Sequence, residues 1–277
     1  MPVQLTNCGI CFGTGSTQHK CRIEEMGEIY VFNPSHWTPQ NGGRCCAFVV
    51  PAGTTSIKFE ILSGGGPGGS SGGDYDHGIG GNGGSYGSKA LQRSVHGFND
   101  GDTYTVCAAG TSDCSCCCSC NMNCRHGCTS YVNGTGLSNF CAIGGMGGTT
   151  QWDMSSNCYN CFWGNLQCSV GNYNAGWANY ACNTPVYGAD MCFYGTTGSY
   201  NSQYNCCADQ FAVAGAPAGP FSAQHGISGK HRCTGDFACC TAHAAFPGGG
   251  GNGHATDSVN ACWGSFGAGG LVRITYS

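Results

Sequence analysis

Charge is scarce in this sequence. Only 9% of its 277 residues are Asp, Glu, Lys or Arg, against roughly a quarter in an ordinary soluble domain. With 10 Lys+Arg and a formal net charge of -4, it offers no basic footprint of the kind that nucleic-acid binding requires. Long apolar runs are missing as well, so no membrane-spanning helix is expected. The opening MPVQLTNCGICFGTG has neither a basic stretch nor a continuous apolar core, and an ordinary secretory leader is not expected there. Periodicity of 3.6 residues over a useful length is absent too, which argues against a helical fold. What remains is unusual: 50 Gly, 25 Cys, 40% hydrophobic and 11% aromatic residues. That apolar content is enough to fold rather than stay disordered, and the expectation is a folded, glycine-rich, soluble protein.

Strand signals lie at both ends of the glycine-rich region. In AFVVPAGTTSIKFEILSGGG, Ile57, Phe59 and Ile61 alternate with Lys58, Glu60 and Leu62 behind a Pro51-Ala52-Gly53 turn. SKALQRSV and DTYTVCAAG repeat the strand character, with Asn99-Asp100-Gly101-Asp102 read as a hairpin turn between them. The closing LVRITYS sets Val272, Ile274 and Tyr276 on one side and Arg273 and Thr275 on the other. These features predict an all-β, sandwich-like fold, with the strand at 55–62 and that at 271–276 in one sheet. Residues 1–46, with Glu24, Glu25 and Glu28 close together, read as a small leading module, and residues 47–277 as the glycine-rich β domain.

The glycine runs at 63–73, 78–87, 144–148 and 247–253 admit two readings. One is flexible linker. The other is packed, polyproline-II-like segments, in which a missing Cβ lets backbones approach and bond to one another. The second is preferred, because four floppy runs inside one domain would be costly.

Two enzyme motifs are matched by glycine density alone. Gly78-Ile79-Gly80-Gly81-Asn82-Gly83 fits G-x-G-x-x-G without the βαβ setting a dinucleotide site needs. Gly83-Gly84-Ser85-Tyr86-Gly87 fits a nucleophile elbow without its strand-to-helix turn. Asp74 and Asp76 alternate in a glycine loop with no identifiable partner. No catalytic residue and no cofactor site is therefore assigned, and the protein is expected not to be an enzyme.

Sulfur is the other abundant element. Residues 114–124, CSCCCSCNMNC, hold six cysteines in eleven positions. A metal site built from Cys114, Cys116, Cys117, Cys118, Cys120, Cys124, His126 and Cys128 is the alternative reading. Neither Cys117/Cys120 nor Cys158/Cys161 has a second pair at finger-like spacing, and the other cysteines are scattered or adjacent, as at Cys45-Cys46, Cys206-Cys207 and Cys239-Cys240. Neighbours in a strand point to opposite sides, so each can find its own partner or fill a buried gap. Disulfides without a resident metal are the expectation. His225, His231, His243 and His254 are not assigned as ligands, and Trp152, Trp163, Trp177 and Tyr180 suit either a core or a glycan contact. The total of 25 is odd, so at least one sulfur needs something other than an intrachain bridge.

The order FVVPAGTTSIKFEILSGGG, GGSYGSKALQ, GDTYTVCAAGT, CTSYVNGTGLSNFCAIGGMGG and GAGGLVRITYS resembles the glycine-rich domain of tailed-bacteriophage fibres and other virion structural proteins. Its cysteine-loaded form is similar to proteins of marine cyanophages with contractile tails. The resemblance implies a non-enzymatic particle component on or near a tail or fibre. It would be made in a host cytoplasm and exposed at lysis, when its thiols can oxidise to bridges worth about 2 to 4 kcal/mol each. It implies other virion proteins as partners, with residues 1–46 as the docking module, and a host surface glycan or envelope protein as a possible contact. Low charge adds the expectation of a homo-oligomer, a trimer being favoured.

Overall fold

Alternation in the two most regular segments sets the architecture. The computed structural model describes residues 3–6, 9–12, 27–32, 44–68, 80–110, 127–148, 185–196, 198–201, 211–213, 219–221, 244–251 and 265–277. Among these the strands are β1 (Val3–Thr6), β2 (Gly9–Phe12), β3 (Gly27–Phe32), β4 (Arg44–Val49), β5 (Ser56–Leu62), β6 (Tyr86–Gln92) and β7 (Thr103–Ala108). They continue with β8 (Ser130–Asn133), β9 (Phe140–Ala142), β10 (Val186–Tyr187), β11 (Met191–Phe193), β12 (Ser199–Asn201), β13 (Phe211–Val213) and β14 (Leu271–Tyr276). Among the described residues helix is confined to one turn, α1 (Arg93–His96), and a 3-10 turn at Gly219–Phe221. No helix among the described residues is long and apolar enough to cross a membrane.

The strands form a seven-stranded sheet, β1-β2-β3-β14-β5-β6-β11, a five-stranded sheet, β10-β9-β8-β7-β4, and the separate pair β12-β13. All pairs are antiparallel. The two strands expected to share a sheet are direct neighbours, with Ile274 opposite Phe59 and Val272 opposite Ile61. On its other side β14 pairs with β3, Val272 facing Val31. The expected boundary at residue 46 falls inside β4, and β3 and β4 are built into the two sheets.

Between the sheets lies the core. Ile57, Phe59 and Ile61 of β5, Val31 of β3 and Val272 and Ile274 of β14 meet Phe48, Tyr104, Val106, Val132 and Phe140 of the smaller sheet. Each such side chain contributes about 1.5–3 kcal/mol when fully buried. The rings of Phe59 and Tyr104 lie 5.0 Å apart, and that of Phe48 meets Phe59 edge-on. Tyr104 keeps its polar end satisfied by donating to the Thr135 carbonyl at 2.7 Å, and burial pushes its hydroxyl pKa up to about 12.

Residues 93–102 depart from the sequence reading. Strand character in SKALQRSV stops at Gln92, and Arg93–His96 wind into one helical turn closed by Gly97 at φ 73°. The Asn99–Asp102 turn forms, with the Asp102 amide donating to the Asn99 carbonyl. It does not join a hairpin, however, because β6 and β7 belong to different sheets. Alternation along a strand reports a buried face and cannot say which sheet supplies that face.

Candidate functional site

In their described parts the glycine runs are not linkers. Their amides are donated, one after another, to carbonyls of other glycine segments. Gly64 donates to Cys128, Gly65 to Ala268 and Gly66 to Asn82, at 2.9 to 3.1 Å, so three successive residues address three different neighbours.

Each pairing repeats after three residues. Ser63 and Gly66 donate to Ser85 and Asn82, Gly65 and Gly68 to Ala268 and Ser265, and Gly81 and Gly84 to Gly251 and Gly248, all antiparallel. Gly145 and Gly148 donate to Gly64 and Pro67 in the parallel sense. A β ladder keeps one neighbour on each side and alternates every two residues, whereas a three-residue repeat is the period of polyproline II. Segments 63–68, 80–85, 127–128, 143–148, 195–196, 248–251 and 265–270, with Gly198, thus form a bundle beside the sandwich, as the preferred reading anticipated.

Spacing at the bundle's inward glycines leaves no room for a side chain. A Cβ on Gly66 would collide with the Met146 carbonyl, one on Gly81 with the Gly66 carbonyl, and one on Gly250 with the Gly81 carbonyl. In each case the obstacle is backbone, with no rotamer to turn aside. The same approach directs Cα–H groups at carbonyl oxygens, contacts worth about 0.5–1 kcal/mol each beside N–H bonds worth about 1 kcal/mol net.

Where the bundle meets the sheet, scarce charge is concentrated. On the outer face of the seven-stranded sheet, Glu60 is only 2% exposed. Its Oε1 accepts from the Tyr86 hydroxyl at 2.6 Å and from Lys58 Nζ at 3.2 Å. Its Oε2 accepts from Arg273 Nε at 2.6 Å and Nη2 at 2.5 Å. Arg273 also reaches Glu28, which accepts from the Tyr30 hydroxyl at 2.8 Å. Burial alone would raise the Glu60 carboxyl, but the Tyr86 hydroxyl, the Arg273 guanidinium and the Lys58 ammonium together hold it below its ordinary value. Burial and the Glu60 carboxylate push the Tyr86 hydroxyl well above the usual tyrosine range. A carboxylate with both oxygens occupied by donors serves as an anchor joining β5, β6 and β14.

Sequence alone left this cluster unseen. Lys58, Glu60 and Arg273 stand out as the polar side of two alternating strands, but only the register that sets Arg273 opposite Glu60, and Glu60 opposite Ser88, makes them one group.

Sulfur behaves as strand geometry requires. In β4 Cys46 packs against the core while exposed Cys45 points outward to bond Cys107, its register partner on β7, with Cα atoms 4.0 Å apart. This adjacent pair serves opposite faces. Cys45→Ser is expected to cost about 2 kcal/mol, the low end of the usual range for disulfides. Urea titration of the variant against wild type checks this; an unchanged midpoint would mean that the bridge carries no stability.

Of the eight alternative metal ligands, Cys128 lies in the bundle, where its carbonyl accepts from Gly64. Cys114, Cys116, Cys117, Cys118, Cys120, Cys124 and His126 lie outside the described residues, as do Asp74, Asp76, the cysteines at 158, 161, 206, 207, 239 and 240, Trp152, Trp163, Trp177, Tyr180 and the four histidines. Among the described residues no three His, Cys, Asp or Glu side chains converge to hold a metal. In the G-x-G-x-x-G match, the amides of Gly81, Asn82 and Gly83 already serve Gly251, Met146 and Thr196. Ser85 of the elbow match is fully buried on the extended approach to β6.

No curated protein matches the sequence. A family model described as a glycine-rich domain matches residues 40–277, a span that takes in β4 through β14 and all segments of the bundle. The chain belongs to this glycine-rich domain family.

Proposed function

We propose that the protein is a non-enzymatic structural component of a bacteriophage particle, carried on a tail or fibre and serving attachment. One observation carries this reading: three of the bundle's connections are anchored at one end. Gly68 bonds to Ser265, Gly81 to Gly251 and Gly148 to Pro67, while the opposite ends of these segments run into β5, β6, β9 and β14. The described residues that flank 69–79 and 252–264 therefore lie at a common pole, as does Gly148, which precedes 149–184; Pro185, which follows it, accepts from Ile143 at the opposite end, beside β9.

A scaffold that anchors several long connections at one pole suits a recognition protein. The other pole and residues 1–46, whose β1 ends the seven-stranded sheet while β3 and β4 are built into the sheets, are the proposed contact with other virion proteins, and copies of the chain would act together. A host surface glycan or envelope protein is the contact proposed for the free pole, with assembly in the host cytoplasm and exposure after lysis. Antibodies against the purified protein should decorate tails or fibres in electron micrographs of particles and slow their adsorption to cells. Absence of the protein from purified particles would overturn the proposal.

A further inference from the structure

We propose that β11 is a self-pairing edge that joins two copies of the chain about a twofold axis through Cys192. Among the described residues, β11 ends the strand order of the larger sheet and pairs only with β6. Exposed large apolar residues gather around it: Tyr187, Met191, Phe193 and Tyr194 are each nearly half exposed. Edge strands are kept unpaired by short length or by lysine, proline or inward charge. β11 is short, at three residues, but residues 191–196 carry no lysine, proline or charge. The nearest charge, Asp190, is engaged by Lys89 Nζ at 2.5 Å and by the Ala90 amide at 2.9 Å.

The occupant that fits is a second copy. Antiparallel pairing centred on residue 192 sets Met191 opposite the partner's Phe193, an apolar pair of the kind that stabilises sheets. Asp190 then faces the partner's Tyr194, whose hydroxyl can donate to the carboxylate, and no like charges meet across the axis. Such an isologous contact closes on itself and removes both exposed edges. It is twofold, where the sequence favoured a trimer.

Self-pairing also sets Cys192 directly opposite the partner's Cys192 on one face of the joined sheet. Cys45 and Cys107 are bridged in this relation within one chain. An odd total of 25 cysteines leaves at least one without an intrachain bridge. Oxidation by dissolved oxygen would join the two sulfurs: two thiols lose two protons and two electrons, an S–S bond forms, and O2 is reduced to hydrogen peroxide.

Light scattering of the full chain under reductant should give a dimer. After exposure to air, a non-reducing gel should show a band at twice 28.5 kDa, and peptide mapping should find Cys192 linked to a second Cys192. Cys192→Ser should lose that band and keep the non-covalent dimer. Met191→Asp, which puts a carboxylate against the partner's Phe193, should weaken dimerisation about tenfold or more. A wild-type monomer or trimer under reductant, a dimer indifferent to Met191→Asp, or an oxidised dimer linked through other cysteines would overturn the proposal.

Discussion

Gly66→Ala is expected to lower stability by about 3 kcal/mol, the upper part of the range for overpacking, although it adds a single methyl group. The added carbon would meet the Met146 carbonyl and the Gly145 carbonyl, both backbone. To make room, segment 63–68 must move away from segment 143–148. That movement strains the bond from the Gly66 amide to Asn82 and the bond that Gly66 accepts from Gly251, at 2.9 and 2.8 Å. Gly53→Ala is the control. Gly53 sits at φ +84° with nothing within 4 Å of an added Cβ, so only the left-handed backbone resists, at a cost of about 1 kcal/mol. Urea titrations of the two variants give the comparison, and equal losses would mean that the glycines are retained for turn conformation and not for close packing.

Arg273→Leu is the second large effect, about 3 kcal/mol at neutral pH, the low end for a broken buried pair because Lys58 stays near Glu60. The loss should depend on pH, with a sign fixed by Glu60. In wild type its folded pKa lies below the ordinary carboxylate value. Its contribution is therefore present above the unfolded pKa and is lost as pH falls through the folded one. Without the guanidinium, burial raises the folded pKa of Glu60, so the variant carries a poorly compensated charge at neutral pH and sheds it on acidification. The gap between wild type and variant should be widest near pH 7 and close below the ordinary carboxylate range. A gap that stays constant from neutral to acid pH would show that Arg273 contributes packing alone.

Much of the fold was legible in the sequence because one face of each long strand is buried. Ile57, Phe59 and Ile61 and their partners Val272 and Ile274 announce themselves by alternation, and their pairing follows from lying at the two ends of one domain. Short strands such as β9 and β11 carry too few residues for a period to register. The switch from β6 to β7 between sheets was hidden because both strands look alike from their own residues. The bundle was legible only as a preference, since glycine names the absence of a side chain and not the neighbour that requires it. Glu60 and Arg273 lie 213 positions apart, and nothing local marks either as the other's partner.

Native-state hydrogen exchange tests the central claim, that glycine backbone serves as a packed, hydrogen-bonded core, most directly. The amides of Gly65, Gly66, Gly81, Gly84, Gly145 and Gly248 all donate to carbonyls of other segments. They should exchange as slowly as those of β5 and β14, because opening them requires the same cooperative unfolding. Exchange of these amides at the rate of an unstructured chain, with β5 and β14 still protected, would show the runs to be linkers and contradict the bundle.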